Sequence, residues 1–347
     1  MSFDIAAILA IDGIASGAIY ALVAIGTVLL FSVTRVMFVP FGDLAAFTAL
    51  TLAALDDGKI PGTVNLVIAL AMLAFAMETF SLLRAGRTAA LGRAALFYLA
   101  FPVAIALAVR FLAPMVPPLP LRLFMALALI VPVAPLLDRI VFRPVADAPV
   151  LLLLIIAVAL HFALVGLGLL FFGPEGVRTQ PLTSWSTEIF GAMVSGQTIC
   201  IVVAAVALSA LLYVCFEYTL IGKALRATSS NRTGARLMGI RPARAGLIAY
   251  VLGSVLAGVS GLLIAPVNTI FYDSGFLIGL KAFVGAIIGG LYSYPGAAVG
   301  AVVVGLLESF ASFVSSSLKD VIVFSILVPI LVWRSLVSVH VEEEDEE

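Results

Sequence analysis

The chain has 347 residues, 63% of them hydrophobic and 11% charged, with a mean hydropathy of +1.22. A soluble core of this size cannot hide so much apolar surface, so the sequence describes a polytopic membrane protein. The net charge of −1 argues against nucleic acid as a partner. Cys200 and Cys215 share one apolar run and would lie about 22 Å apart on a helix, beyond disulfide reach.

Catalytic chemistry has little to draw on. Both Gly-Lys pairs, Gly58-Lys59 and Gly222-Lys223, continue into Ile and Ala, so neither opens a P-loop. The two histidines, His161 and His340, are too few for a His-based metal site, and no Gly-x-Ser-x-Gly elbow occurs. The expectation is no cofactor, no metal and no catalytic residue. Energy for uphill work then has to come from a partner or from coupled ions.

Cut at its polar and Pro/Gly breaks, the chain gives eleven helical segments: 12–33, 43–55, 62–83, 94–113, 123–137, 149–172, 197–216, 246–267, 276–291, 297–313 and 320–337. The fold class is therefore all-α and polytopic, with 43–55 and 276–291 short or broken. Residues 1–339 form the membrane domain and 340–347 an acidic tail, solvated because Glu342 to Glu347 are all acidic. No cleavable signal peptide is expected, because no small-residue cleavage site follows a basic stretch.

Basic residues set the orientation. With 217–245 inside, alternation also puts Arg35, Arg84, Arg87, Arg93, Arg139, Arg143 and Arg334 inside. Adding Lys223, Arg226, Arg232, Arg236, Arg241 and Arg244 makes thirteen. Lys59, Arg110, Arg122, Arg178, Lys281 and Lys319 fall outside, which is six. The positive-inside bias then predicts N-terminus out and C-terminus in.

Between the spans, 173–196 carries Trp185 and Phe190 among Ser, Thr and Gly. It reads as an interfacial belt or a short amphipathic surface segment, or else as a docking surface for an external partner. In the 217–245 loop, Gly222 is expected to close the preceding helix and Lys223 to start a short one. Ser229, Ser230 and Asn231 offer caps for a second, Thr233 to Met238, ended by Gly239. Composition leaves two readings open: insertion into a groove on another protein, or a basic loop held by anionic headgroups.

Charged groups inside spans need a reason, because each costs about 2.5–3.5 kcal/mol at mid-span on insertion scales. Glu308 either faces a cavity or hydrogen-bonds a neighbouring helix. His161 is a packing histidine or a pathway residue, and Asp43 caps its short helix or lines a pathway. Lys281 and Asp273 lie near the outer face and are expected to snorkel. The pattern Gly253-Ala257-Gly261, with Gly285-Gly289 and Gly296-Gly300, predicts close helix packing.

The loop also resembles a known family. Gly222, Arg226, Ala227, Asn231, Ala235, Gly239 and Ile240 match the cytoplasmic loop of the branched-chain amino acid permease family of ATP-binding-cassette importers. The similarity continues through Lys281-Ala282-Phe283, Gly289-Gly290, Pro295-Gly296-Ala297, Gly300, Glu308 and Lys319-Asp320. Upstream it includes Gly17 to Leu22 and Arg143-Pro144. The resemblance implies a bacterial inner-membrane subunit that takes up branched-chain or related amino acids from a periplasmic or extracellular solute-binding protein. Cytoplasmic ATPase subunits and a second, related permease subunit would be its partners. Gly222, Lys223, Arg226, Asn231, Ala235 and Gly239 would couple to the ATPase, and Phe38, Phe41, Asp43, His161 and Glu308 are the substrate-pathway candidates.

Two departures stand out. Phe38-Val39-Pro40-Phe41-Gly42-Asp43 replaces the family's Asn-Phe-Ala-His-Gly-Glu, which shifts the expected substrate toward an aliphatic or aromatic side chain. Region 56–137 holds three spans where the family has one. The alternative is an ion-coupled secondary transporter of a small organic solute, which would need intramembrane charges on facing broken helices.

Overall fold

Helices form where hydropathy places them. The computed structural model of the chain describes residues 3–146, 148–189, 192–291 and 293–338; the acidic tail, His340 and Phe190 lie outside the described residues. The helices are α1 (Phe3–Thr34), α2 (Phe41–Asp56), α3 (Thr63–Arg84), α4 (Leu91–Ala94), α5 (Phe101–Leu112), α6 (Leu119–Ile130), α7 (Val133–Leu137) and α8 (Val150–Phe172). They continue with α9 (Gly196–Tyr218), α10 (Leu220–Ser230), α11 (Arg232–Leu237), α12 (Pro242–Ile264), α13 (Gly275–Gly289), α14 (Tyr294–Val314) and α15 (Lys319–Ser338).

Among the described residues, eight segments are long and apolar enough to cross a bilayer: α1, α3, Thr88–Met115, Leu119–Val145, α8, α9, α12 and α14. The chain is thus a multi-pass, predominantly helical membrane protein. All eleven expected positions are helical, and eight of them stand as full-length spans among the described residues, with α2, α13 and α15 outside that set. Two of the spanning segments are interrupted. Thr88–Met115 widens into a π turn at Ala95–Ala100, where Pro102 has no N–H for the Tyr98 carbonyl, and Leu119–Val145 does the same at Asp138–Phe142, before Pro144.

Burial orders the bundle. In α1, 89% of the most apolar stretch is buried, against 22% in α8 and in α9, so α1 is the axis and the other two lie at the periphery. Around α1 pack α12, α13 and α14, in contacts that depend on missing side chains. A Cβ on Gly289 would collide with the backbone of Gly296, and one on Gly17 would meet the Val302 Cα at 2.6 Å. In lipid, such proximity supplies the dispersion that holds helices together.

The half-length of α2 has a structural origin. Arg35 ends α1 in the left-handed region, at φ 63°, and residues 36–40 turn back into the protein. Phe41, the first residue of α2, packs its ring on Gly253, the midpoint of α12. The irregular backbone is buried, with Val36 and Phe38 almost fully covered, as a bilayer requires.

The 173–196 segment is not an amphipathic helix. Ser186–Ile189 and Ala192–Ser195 form a two-stranded antiparallel hairpin, with Ser186 opposite Ser195 and Ile189 opposite Ala192. A bridge between Val177 and Ile270 ties the segment to the α12–α13 connection. Gln197 Nε2 donates to the Leu263 carbonyl at 3.2 Å, and its Oε1 accepts from Leu182 N at 3.0 Å. Trp185 precedes the hairpin and is exposed.

Candidate functional site

Two half-helices start at the same place. Gly42 lies against Gly275 and Gly279, so the N-termini of α2 and α13 meet without an intervening side chain. Beside them is a cavity of about 210 Å³. Phe38, Phe41, Phe276 and Phe283 contribute four aromatic walls, Leu154 and Val158 of α8 another, and Thr27 is its one polar side chain. Thr27 turns its hydroxyl to the Val23 carbonyl at 2.9 Å, which leaves the space apolar. Phe38 and Phe41 meet edge to face at 4.9 Å, and Phe38 meets the Tyr250 ring at 5.5 Å, which fixes the floor.

Asp43 and His161 come together just behind this cavity. His161 Nδ1 is 2.8 Å from Asp43 Oδ2, and the side chains are 5% and 1% exposed. With the carboxylate as acceptor, Nδ1 carries the proton. Asp43 does not cap α2; Pro40 holds that position and makes no side-chain cap bond. The carboxylate instead sits in the first turn of α2 with Gly275, at the start of α13, packed onto it, where two helix dipoles favour negative charge. The pair therefore pins α2 to α8, and the His161 ring reaches α13 through Phe276 at 5.0 Å.

Glu308, the fifth pathway candidate, lies elsewhere. Its Oε1 is 2.6 Å from Lys281 Nζ and 3.7 Å from Lys319 Nζ, and its Oε2 accepts from the Tyr20 hydroxyl at 2.7 Å. Lys281 also reaches Asp320 at 2.8 Å. Two cations and two anions balance, which is what permits charge at this depth. Lys281 does not snorkel: it is 4% exposed and joins α13 to α14 and α15. Tyr20, Lys281, Glu308, Lys319 and Asp320, scattered through the resemblance, are thus one network. A further pair that sequence reading missed joins Arg139 to Glu78, 61 residues away.

The 217–245 excursion forms two short helices, α10 and α11. Thr219, unforeseen, caps α10 by accepting from Gly222 N at 3.0 Å. Gly222 does not close the preceding helix; it lies inside α10, where a Cβ would strike the Cys215 carbonyl and Phe216 backbone of α9. Asn231 alone caps α11, accepting from Gly234 N at 2.7 Å, while the Ser229 hydroxyl turns back to the Arg226 carbonyl. Gly239 follows at φ +82°, the left-handed geometry that ends a helix. Ala235 is buried, and Arg226 pairs with Glu217 at 2.6 Å on the surface. The tips stay bare: Leu220, Leu237 and Met238 are 86%, 84% and 83% exposed.

Comparison with known proteins follows the same lines. Residues 9–331 match the family described as branched-chain amino acid transport system / permease component, and the chain belongs to that family. Over 203 residues it is 31% identical to the high-affinity branched-chain amino acid transport system permease protein LivH of Salmonella typhimurium and 30% identical to LivH of Escherichia coli. Those matches cover 56% of this chain and 66% of each LivH, just under two thirds of the relatives' length. BraD of Pseudomonas aeruginosa, another such permease protein, is 34% identical over 116 residues, 33% of this chain and 38% of BraD. No solved structure matches the chain.

Proposed function

We propose that this chain is the membrane-spanning permease subunit of an ATP-binding-cassette importer in a bacterial inner membrane. It takes up branched-chain or related amino acids, with its N-terminus outside and its C-terminus inside. The observation that carries the reading is the α10–α11 excursion. It sets Leu220, Leu237 and Met238 bare on a basic, capped helical pair between two spanning helices. Several large apolar side chains left bare on an otherwise polar, basic excursion suit docking onto another protein. ATP-dependent closure of partner ATPases would bias α9 and α12, to which the pair is joined, between inward- and outward-open arrangements.

Substrate recognition follows from the cavity at the α2 and α13 N-termini. Its phenylalanine walls suit an aliphatic side chain, and Phe38 and Phe41 are the residues set to tell one such side chain from another. Asp43 and His161 hold the half-helices in place. Glu308 is a structural carboxylate in this reading, not a pathway residue. An external binding protein delivers the amino acid, and a second permease completes the path.

The test is uptake of radiolabelled leucine by proteoliposomes containing the chain with its companion permease and ATPase subunits, and the binding protein outside. ATP inside should drive uptake, and Arg226→Glu should abolish it with insertion intact. Uptake that persists without ATP and collapses with an ionophore would support the ion-coupled reading.

A further inference from the structure

A second recess is lined by an entirely different set of residues. Thr88–Met115 belongs to the region with three spans where the family has one, and it leans toward the first turns of α12 across a crevice of about 720 Å³. The walls are apolar: Leu82, with Phe97 and Phe101 left exposed, stands opposite Leu247, Ile248 and Val251. The rim is basic, with Arg87, Arg93, Arg143 and Arg244 against one acid, Glu78, which Arg139 already occupies and Arg143 approaches to 4.0 Å. Among the described residues, the Arg87, Arg93 and Arg244 side chains make no hydrogen bond or ion pair, and all three are exposed. Arg143 is held by the Tyr98 hydroxyl at 3.1 Å.

Three unpaired guanidinium groups over a greasy slot specify the chemistry of the occupant. A soluble anion would satisfy the arginines and leave the depth empty, whereas a neutral hydrocarbon would fill the depth and leave the arginines unmatched. An amphiphile with a phosphate head meets both demands, and basic pockets between membrane helices bind such headgroups. The leaflet is that of the 217–245 loop, because Arg244 closes that loop. The π turn at Ala95–Ala100 contributes Phe97 and Tyr98 to one wall, so a departure from regular helix falls where the recess needs width.

We propose that this crevice binds one anionic phospholipid, with its phosphate held by Arg87, Arg93, Arg143 and Arg244 and an acyl chain lying along Phe97, Phe101 and Leu247. The lipid braces the inserted helices against the start of α12, the helix that leaves the α10–α11 pair. The site stands whether or not the pair docks an ATPase, since lipid retention is read without transport.

Native mass spectrometry of the purified full chain tests it, with phosphatidylglycerol and phosphatidylcholine of identical chains added at equal concentration. The wild type should retain one phosphatidylglycerol in clear preference. Arg87→Gln/Arg244→Gln should weaken retention by about thirtyfold, the loss expected for two headgroup-facing arginines. Arg110→Gln/Arg236→Gln, which removes equal charge elsewhere, should keep it. Leu247→Trp, which fills the depth without touching charge, should lower retention of phosphatidylglycerol while thermal unfolding shows an intact fold. Equal retention of the two lipids, or a rim variant that binds as the wild type does, overturns the proposal. So does displacement of the lipid by glycerol 3-phosphate at equal concentration, which would mark a site for a free anion. A crosslink from position 93 to residues 340–347 would assign the arginines to the chain's own acidic tail and overturn it as well.

Discussion

Breaking the Asp43–His161 contact should reveal a strong coupling between residues 118 positions apart in the chain. Replacing His161 by Ala leaves a carboxylate that is 1% exposed, with Oδ1 already lacking a hydrogen-bond partner and Oδ2 losing its own. Removing one member of a buried pair costs about 3–5 kcal/mol, because the other is left uncompensated. Asp43→Ala strands the imidazole instead and costs about 1–3 kcal/mol for a buried polar group with no acceptor. In Asp43→Ala/His161→Ala neither orphan remains, so the double variant should be more stable than the sum of the singles by about 2 kcal/mol. The assay is reversible unfolding in mixed micelles, followed by circular dichroism for wild type, both singles and the double. Additivity within about 0.5 kcal/mol would refute the pairing and return both residues to independent packing roles.

Other outcomes follow from the same contacts. Gly289→Ala should destabilise by about 1–3 kcal/mol because its methyl meets the Gly296 backbone, whereas Gly92→Ala, with open space around it, should be neutral or stabilising in thermal unfolding. Lys281→Met should cost about 1–3 kcal/mol by leaving Asp320 without its cation and Glu308 with only Lys319 and Tyr20, and adding Glu308→Gln should recover part of it in the same assay. Asn231→Ala should lose the α11 cap, worth about 1 kcal/mol, and lower ATP-driven uptake without lowering the amount of protein in the membrane.

Much of the helical layout is legible in the sequence because lipid leaves the backbone few choices. Apolar runs bounded by Gly, Pro and charge must be helices, and α1, α8, α9 and α12 follow directly. Local chemistry reads nearly as well: Asn231 and Gly239 bracket α11 as their side-chain and backbone preferences dictate. Partners distant in sequence do not read. Nothing near Asp43 points to His161, and Tyr20, Lys281, Glu308 and Asp320 span 300 positions before they meet. The signal that could have found them is electrostatic, since a cation and an acid that both fall inside spans need each other. The long stem of Lys281 also fits snorkelling at the outer face, and only the register of α13 on α14 turns it inward to Glu308. The two strands of the hairpin, four residues each, carry too short a period for the sequence to separate strand from surface helix.

The most direct measurement concerns the bare tips of α10 and α11. A photoreactive residue at Leu237 or Met238, each more than four-fifths exposed, would be activated in membranes that contain the chain with its ATPase subunits. Crosslinks should join the tip to an ATPase subunit and change in yield between nucleotide-free and ATP-bound states. Labelling confined to lipid, unchanged by nucleotide, would contradict the account.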